Sequence, residues 1–345
     1  MSLSLYRMAL LSALCCLLGL AFTMPAEAQP QPQPLLEEHI KTFADFGDRS
    51  TGTPGAALAA DYIENSLADI FSHVEELQVG RHSFLVPVQG DATGSLTLSE
   101  SGKSVTLTPL AMNALSFGAI PAPGHEGSAY YVGYGNPEDF NGIEVQGAII
   151  LMDLDSCKNW QNAAMLGARA IIFIDHAAGQ EPTPRRLFED KLEQTPIDFP
   201  AFWMRADQAE TLFGDLQRFK ATDQGQAVNI TSSMRWKRVQ ADNVYALIPG
   251  SDPELTGQVV VLEAFYDSTA LVFDRAPGAD QAASIASLLA LAQDLAENPP
   301  AYPTLFLATS GHAQSVAGMR EFAWALSVDA DDLNELLDHY TQRVA

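Results

Sequence analysis

The chain is poor in cysteine and in basic residues, and each scarcity excludes a class of structure or partner. Two of its three cysteines, Cys15 and Cys16, fall in an N-terminal apolar run, so that Cys157 stands alone in the remaining chain. Intrachain disulfides are excluded there, and the hydrophobic core must supply the stability. Basic residues number 19 against 43 acidic ones, giving a formal net charge of −24. Because such a surface repels phosphate groups, we expect no nucleic-acid partner.

The rest of the composition is that of a folded protein. Hydrophobic residues make up 47% of the 345 residues and charged residues only 18%, which argues against extensive disorder. The length allows one large domain or two medium ones, each with its own core. The acidic surface favours solubility, and the alternative is a surface that recruits cations or basic peptides.

The N-terminal segment has the pattern of a secretory signal peptide. Arg7 is the only charged residue ahead of the cleavage site, residues 8–23 are apolar, and Ala26-Glu27-Ala28 is a small-x-small site. We predict that residues 1–28 are removed, and that the protein is periplasmic or secreted without a membrane span. An uncleaved membrane anchor is the alternative, although the apolar run is short for a full span. Residues 29–34 alternate Gln and Pro, which predicts an extended spacer.

Hydrophobic periodicity predicts helices at the start of the folded part, followed by a β-rich stretch. Apolar residues recur at helical spacing in residues 36–46 and 58–67. They alternate with polar residues from about residue 75 to residue 110, a pattern typical of hairpins. Strand, helix and strand follow within residues 147–174, which predicts a crossover between two parallel strands.

The last third of the chain returns to an α/β pattern. Buried strands are predicted at residues 243–248, 259–262 and 304–308, with an apolar helix at residues 282–295. The order of these helices and strands therefore predicts one α/β domain interrupted by a β-rich insertion.

Polar residues follow these strands in Glu263–Ser268, Gly278–Asp280 and Ser310–Gln314. Ligand sites of open α/β sheets form at the carboxyl ends of strands. The residues alone leave two interpretations, a ligand site or ordinary turns in which Asp280 caps the next helix. Cys157 is expected to be packed rather than catalytic.

In their order and in their residues, these segments resemble the di-zinc aminopeptidase family. That family includes bacterial leucyl aminopeptidases, glutamate carboxypeptidase and the transferrin receptor. Arg49–Gly55 is similar to the first loop of that family, and Asn243–Gly250 to its first core strand. The segments between residues 147 and 202 are similar to its protease-associated insert. The resemblance covers about residues 35–322.

This resemblance implies a fold and its domain boundaries. The expected fold is a zinc-exopeptidase-like three-layer α/β domain, incomplete at its C-terminal side, formed by residues 35–85 and 239–345. The inserted β-rich protease-associated domain is expected at residues 86–238.

The resemblance also implies a site for two zinc ions, with a carboxylate bridge and a Glu as the general base. The His-x-Asp segment of the family corresponds to Phe265 and Asp267, so the ligand imidazole is replaced by a ring without a lone pair. The bridging carboxylate corresponds to Asp280. The Glu-Glu pair, which supplies base and ligand, corresponds to His312 and Ala313.

Asp280 is therefore the single candidate metal ligand that the comparison of residues retains. Two further family ligands, an Asp and a His, have no counterpart, and His339 qualifies by residue type alone. We expect no cofactor and a catalytically inactive protein with a binding or assembly role, whose ligand is a peptide or a protein. The alternatives are an active zinc-dependent aminopeptidase with unorthodox or partner-supplied ligands, and a different hydrolase.

The same resemblance implies further strands and helices beyond a helix at residues 320–326. Their absence from the sequence would leave an open sheet edge. We expect that edge to be covered by a partner, by self-association, or by a helix at residues 333–340.

Overall fold

The structure is a computed structural model, and it describes residues 34–113, 117–177, 191, 199–222, 224–269 and 278–327. The predicted signal peptide, His339 and the predicted helix at residues 333–340 lie outside the described residues. Pro34, which we assigned to the spacer, begins the first helix instead. None of the described helices has the length and apolar character needed to cross a bilayer.

Two helices open the fold, α1 (Pro34–Asp45) and α2 (Pro54–Ile70), as the periodicity predicts. Helix α2 begins where Thr53 accepts a hydrogen bond from the backbone N–H of Ala56, and Pro54 occupies its first turn. Both features favour a helix start, because Thr satisfies a free N–H and Pro has none to satisfy. The apolar face of α2 is fully buried at Ala59, Ile63 and Leu67.

A long two-stranded ribbon forms the spine of the molecule. Strand β1 (Gln78–Leu98) pairs antiparallel with β7 (Gln226–Ile248), with one register shift between Gly90 and Thr93. We call this pair the ribbon. The hairpins predicted for residues 75–110 are only partly correct, because β1 is continuous and its longest pairing is with a strand far along the chain. Alternation reveals a strand but not its partner.

The inserted domain closes on itself through the ribbon. Besides the ribbon, its elements are β2 (Ser104–Pro109), β3 (His125–Tyr131), β4 (Ile149–Asp153), α3 (Trp160–Met165), β5 (Ala170–Asp175), β6 (Ala201–Arg205), α4 (Ala206–Phe213) and α5 (Leu216–Ala221). The strand order is β1-β2-β6-β5-β4-β3-β7, and the β1–β7 pairing completes the circuit. Strands β3 to β6 run parallel, and the predicted crossover is present as β4, α3 and β5.

The second half of β7 belongs to another layer of the molecule. There β7 pairs with β9 (Thr304–Thr309), and β9 pairs in parallel with β8 (Val260–Phe265). Helices α1, α2 and α6 (Ala283–Glu297) bury one face of this sheet in a common core. Helix α7 (Ala317–Ser327) contacts the other face, where the Phe322 ring lies 5.5 Å from the ring of His82. The predicted α/β class with a β-rich insertion is confirmed, whereas the exact domain boundaries stay a prediction.

The turn-rich segment Arg49–Gly55, which we call the Arg49 loop, packs directly on the ribbon. Gly52 adopts a φ of +83°, and a Cβ placed there would lie 2.5 Å from Cγ2 of Val239. Only glycine tolerates both the left-handed backbone and this approach. The loop is therefore fixed against β7 at the place where the two layers of the molecule meet.

Replacing Gly52 by Ala should lower the urea midpoint of unfolding more than replacing Gly47 by Ala. Gly47 also has a positive φ, of +71°, but a Cβ there would have no neighbour within 4 Å. Gly47→Ala should thus cost only the backbone term, about 1 kcal/mol, whereas Gly52→Ala adds a collision with Val239. Equal midpoints for the two variants would show that the loop does not depend on this contact.

Candidate functional site

A stacked pair of rings occupies the place where the resemblance expects a ligand and a base. The ring centroids of Phe265 and His312 are 4.0 Å apart, and the ring planes differ by 18°. Phe265 ends strand β8, and His312 lies in the loop after β9. Because β8 and β9 are parallel neighbours, their carboxyl ends bring the two rings together. The phenyl ring offers no lone pair and covers one face of the imidazole.

Asp267 is turned inward and holds the loop that follows β9. The side chain is only 2% exposed, and its Oδ2 accepts hydrogen bonds from the N–H groups of Gly311 (2.6 Å) and His312 (3.1 Å). The Thr51 hydroxyl lies 2.7 Å from the same oxygen. Oδ1 has no hydrogen-bond partner among the described residues. Burial raises the pKa of Asp267, while the hydrogen bond from Thr51 and those from the two N–H groups oppose that change.

Arg49 is the second buried charge beside this site. Its side chain is 0% exposed, and the guanidinium donates to the carbonyl oxygens of Phe43 (2.7 Å), Tyr266 (3.2 Å) and Gly278 (3.1 Å). Burial lowers the pKa of Arg49, and the nearby carboxylates of Asp267 and Asp280 oppose that change. Arg49 thus joins α1, the end of β8 and the loop before α6.

Sequence reasoning missed this role of Arg49. Its only local signal is a turn-rich sequence, and arginine is rarely fully buried. Only the three carbonyl oxygens supplied by other segments make its burial tolerable. Those carbonyl oxygens come together only in the folded chain, so the spacing of residues in the sequence could not predict that they bind Arg49.

Asp280 is exposed, in contrast to Asp267. Its Oδ1 accepts from the N–H of Gln281 at 3.0 Å. The interpretation that Asp280 caps the following helix is wrong, because the N-cap of α6 is Ala282, which makes no side-chain cap. Ala313 is half-buried and offers no donor atom to a metal.

The structure therefore brings Phe265, His312 and Asp267 together around the ends of β8 and β9, and places Asp280 near the same Arg49. A zinc pair needs several carboxylate or imidazole ligands around each ion. One exposed carboxylate, one carboxylate bound to backbone N–H groups, one imidazole stacked on a phenyl ring, and a methyl group do not fit that requirement. Among the described residues, no group of three or more His, Cys, Asp or Glu side chains could hold a metal ion.

The other candidates of the sequence lie elsewhere. Cys157 is exposed and has a φ of +48°, so the expectation that it is packed is wrong. His39, His73 and His125 make local contacts with Tyr62, the carbonyl of Ala296 and the carbonyl of Gly147. None of these residues lies at the carboxyl ends of β8 and β9.

Because burial raises the pKa of Asp267 in the folded protein, the stability of the protein should depend on pH. A group whose folded pKa is raised contributes stability at pH values below its unfolded pKa, about 3.9, and loses it as the pH rises through the folded pKa. The wild type should therefore lose stability relative to Asp267→Asn as the pH rises above about 4. Urea unfolding of both proteins from pH 3.5 to pH 7 measures the difference; a slope of opposite sign would show that hydrogen bonds outweigh burial.

Comparison with known proteins identifies two matched segments. The model of the PA domain matches residues 105–212, and the model of peptidase family M28 matches residues 243–334. Curated protein sequences show no match to the chain.

Solved structures give a likeness in fold. BSAP, a zinc aminopeptidase from Bacillus subtilis, is 18% identical with a TM-score of 0.56, over 87% of this chain and 66% of that one. A second, medium-resolution crystal structure of BSAP is 19% identical with a TM-score of 0.52, over the same 87% and 66%. This chain thus spans slightly less than two thirds of that enzyme.

The family resemblance read from the sequence is confirmed by the two matched models. At such low identity, the likeness to BSAP shows the fold alone. Residues 243–334 thus resemble peptidase family M28, and residues 105–212 resemble a PA domain.

Proposed function

We propose that this chain is an exported, catalytically inactive relative of the aminopeptidases that acts by binding a peptide or a protein. The observation that carries the proposal is the stack of Phe265 on His312. In the resemblance these positions belong to a zinc ligand and to the catalytic base. A metallopeptidase needs a metal-bound water of lowered pKa, and a base has little to act on without it.

The state of Asp267 supports the same proposal. Its Oδ2 is already bound by two backbone N–H groups, and its side chain is buried. Recruiting this carboxylate to a metal would break those contacts and release the loop after β9. The carboxylate of Asp267 therefore acts as a structural group.

Export is supported by the sequence of residues 1–28, which has a charged start, an apolar run and a small-x-small site. A periplasmic or secreted location also fits a folded part that contains a single cysteine. Self-association at the sheet edge is kept as part of the proposal, because β8 ends the strand order and exposes Val260 (41%) and Val261 (50%).

The purified protein should bind less than about one tenth of a zinc ion per chain and should not hydrolyse aminoacyl-nitroanilides above background. Elemental analysis after dialysis against trace zinc, with and without a chelator, measures both quantities. Asp280→Asn is the matched variant, and it should leave the zinc content unchanged. Stoichiometric zinc with turnover that a chelator abolishes would instead establish the active peptidase with unorthodox ligands.

Export should yield a mature chain that begins at Gln29. N-terminal sequencing of the protein from a periplasmic or culture fraction reads this directly. Ala28→Trp places a bulky side chain where cleavage requires a small one, so this variant should accumulate as the precursor. A wild-type chain that retains Met1 contradicts the prediction.

A further inference from the structure

A cavity of about 110 Å³ lies between the Arg49 loop and the ribbon. Its wall includes Ser50 and Thr51 of the loop, Gln89 and Lys237 of the ribbon, and Ser268 and Thr269 after β8. Ala313 and Gln314 also reach it, so it borders the candidate site without containing the Phe265–His312 stack. Residues from several separate segments of the chain thus converge on one small space.

The wall of this cavity has more hydrogen-bond donors than acceptors to receive them. Ser268 accepts from the N–H of Arg49, and Thr269 accepts from the side-chain amide of Gln281. Each of these hydroxyls still has its own proton to donate, and the described residues supply no acceptor for it.

Two further side-chain atoms of the wall residues are buried and do not face the cavity. The Oε1 of Gln89 accepts from the N–H of Phe117 at 2.6 Å, which fixes the amide, and its Nε2 has no partner among the described residues. The side chain of Gln89 is only 8% exposed. The hydroxyl of Ser50 is likewise buried without a partner among the described residues. Both atoms are shielded from solvent, so a ligand would reach them only after a side-chain rotation.

The cavity also carries a positive charge in a strongly acidic chain. Lys237 is the charged residue of the described wall, and no carboxylate lines it. A Cβ on Gly90 would lie 2.5 Å from Cε of Lys237 and 2.7 Å from its Nζ. The missing side chain of Gly90 thus leaves room for the lysine to lie along the ribbon, and Lys237 also lines the cavity.

We propose that this cavity binds a small carboxylate, with Lys237 as the counter-charge and the hydroxyls of Ser268 and Thr269 as donors. A carboxylate supplies acceptors without donors and matches both the charge and the surplus of the wall. The volume suits one small residue, so the carboxyl-terminal residue of a peptide and a free amino acid share this chemistry. The inference rests on the proposed function, to which it adds a site and a ligand class.

Calorimetric titration at low salt can test the proposal with three probes: trialanine, trialanine amide and free alanine. Trialanine should bind and its amide should not, because only the carboxylate provides the charge and the acceptors. If free alanine binds as well, the site is assigned to free amino acids. If free alanine does not bind, the site is assigned to the carboxyl-terminal ends of peptides. Added salt should weaken binding, since Lys237 is exposed to solvent.

Lys237→Gln should weaken trialanine binding by about tenfold or more. Arg238→Gln is the matched control, because it removes the same charge from the next residue of β7, which does not line the cavity. Gly90→Ala keeps every charge but displaces the Lys237 side chain, so it should weaken binding in the same direction. Circular dichroism would establish that each variant is folded.

Equal binding of trialanine and its amide, no binding of any probe, or an unchanged affinity of Lys237→Gln would each overturn the proposal. These outcomes are separable from a failure of the proposed function. Bound zinc with chelator-sensitive turnover would reject the inactive peptidase whatever the cavity binds. Loss of the cavity proposal alone would leave the zinc content and turnover as expected.

Discussion

The pairing of β1 with β7 is the contact on which the other parts of the structure depend. It closes the circuit of strands in the inserted domain, and the far half of β7 then enters the sheet that contains β8 and β9. The Arg49 loop packs on this ribbon at Val239, and the ribbon supplies Gln89 and Lys237 to the cavity. Gln89 and Lys237 are far apart in sequence, and they become neighbours because the register of β1 and β7 places them on adjacent strands.

Around the ribbon, buried polar groups hold the ends of β8 and β9 in place. Arg49 binds three carbonyl oxygens, and Asp267 binds two backbone N–H groups of the loop after β9. Each buried charge is tolerable because its hydrogen bonds replace those of water. The loops can therefore keep their positions by contacts that the protein chain makes with itself.

Local patterns predicted the helices and strands well, but they carried less information about which strands pair with one another. The crossover of β4, α3 and β5 follows from two continuous apolar strands around a short helix, which few other arrangements can bury. The ribbon could not be predicted, because alternation at β1 is compatible with any neighbouring strand. The exposure of Cys157 and the role of Arg49 depend on contacts between distant segments, and residue type predicted the opposite for both.

The length of β7 has a mechanical consequence. A strand of 23 residues is about 75 Å long when extended, and it passes from one domain into the other without a break. Domains joined by flexible linkers can swing about a hinge, whereas domains that share a hydrogen-bonded strand resist bending and twisting. Val239, which contacts the Arg49 loop, and Lys237, which lines the cavity, both lie on this strand, so a hinge motion between the two layers would have to bend the strand itself.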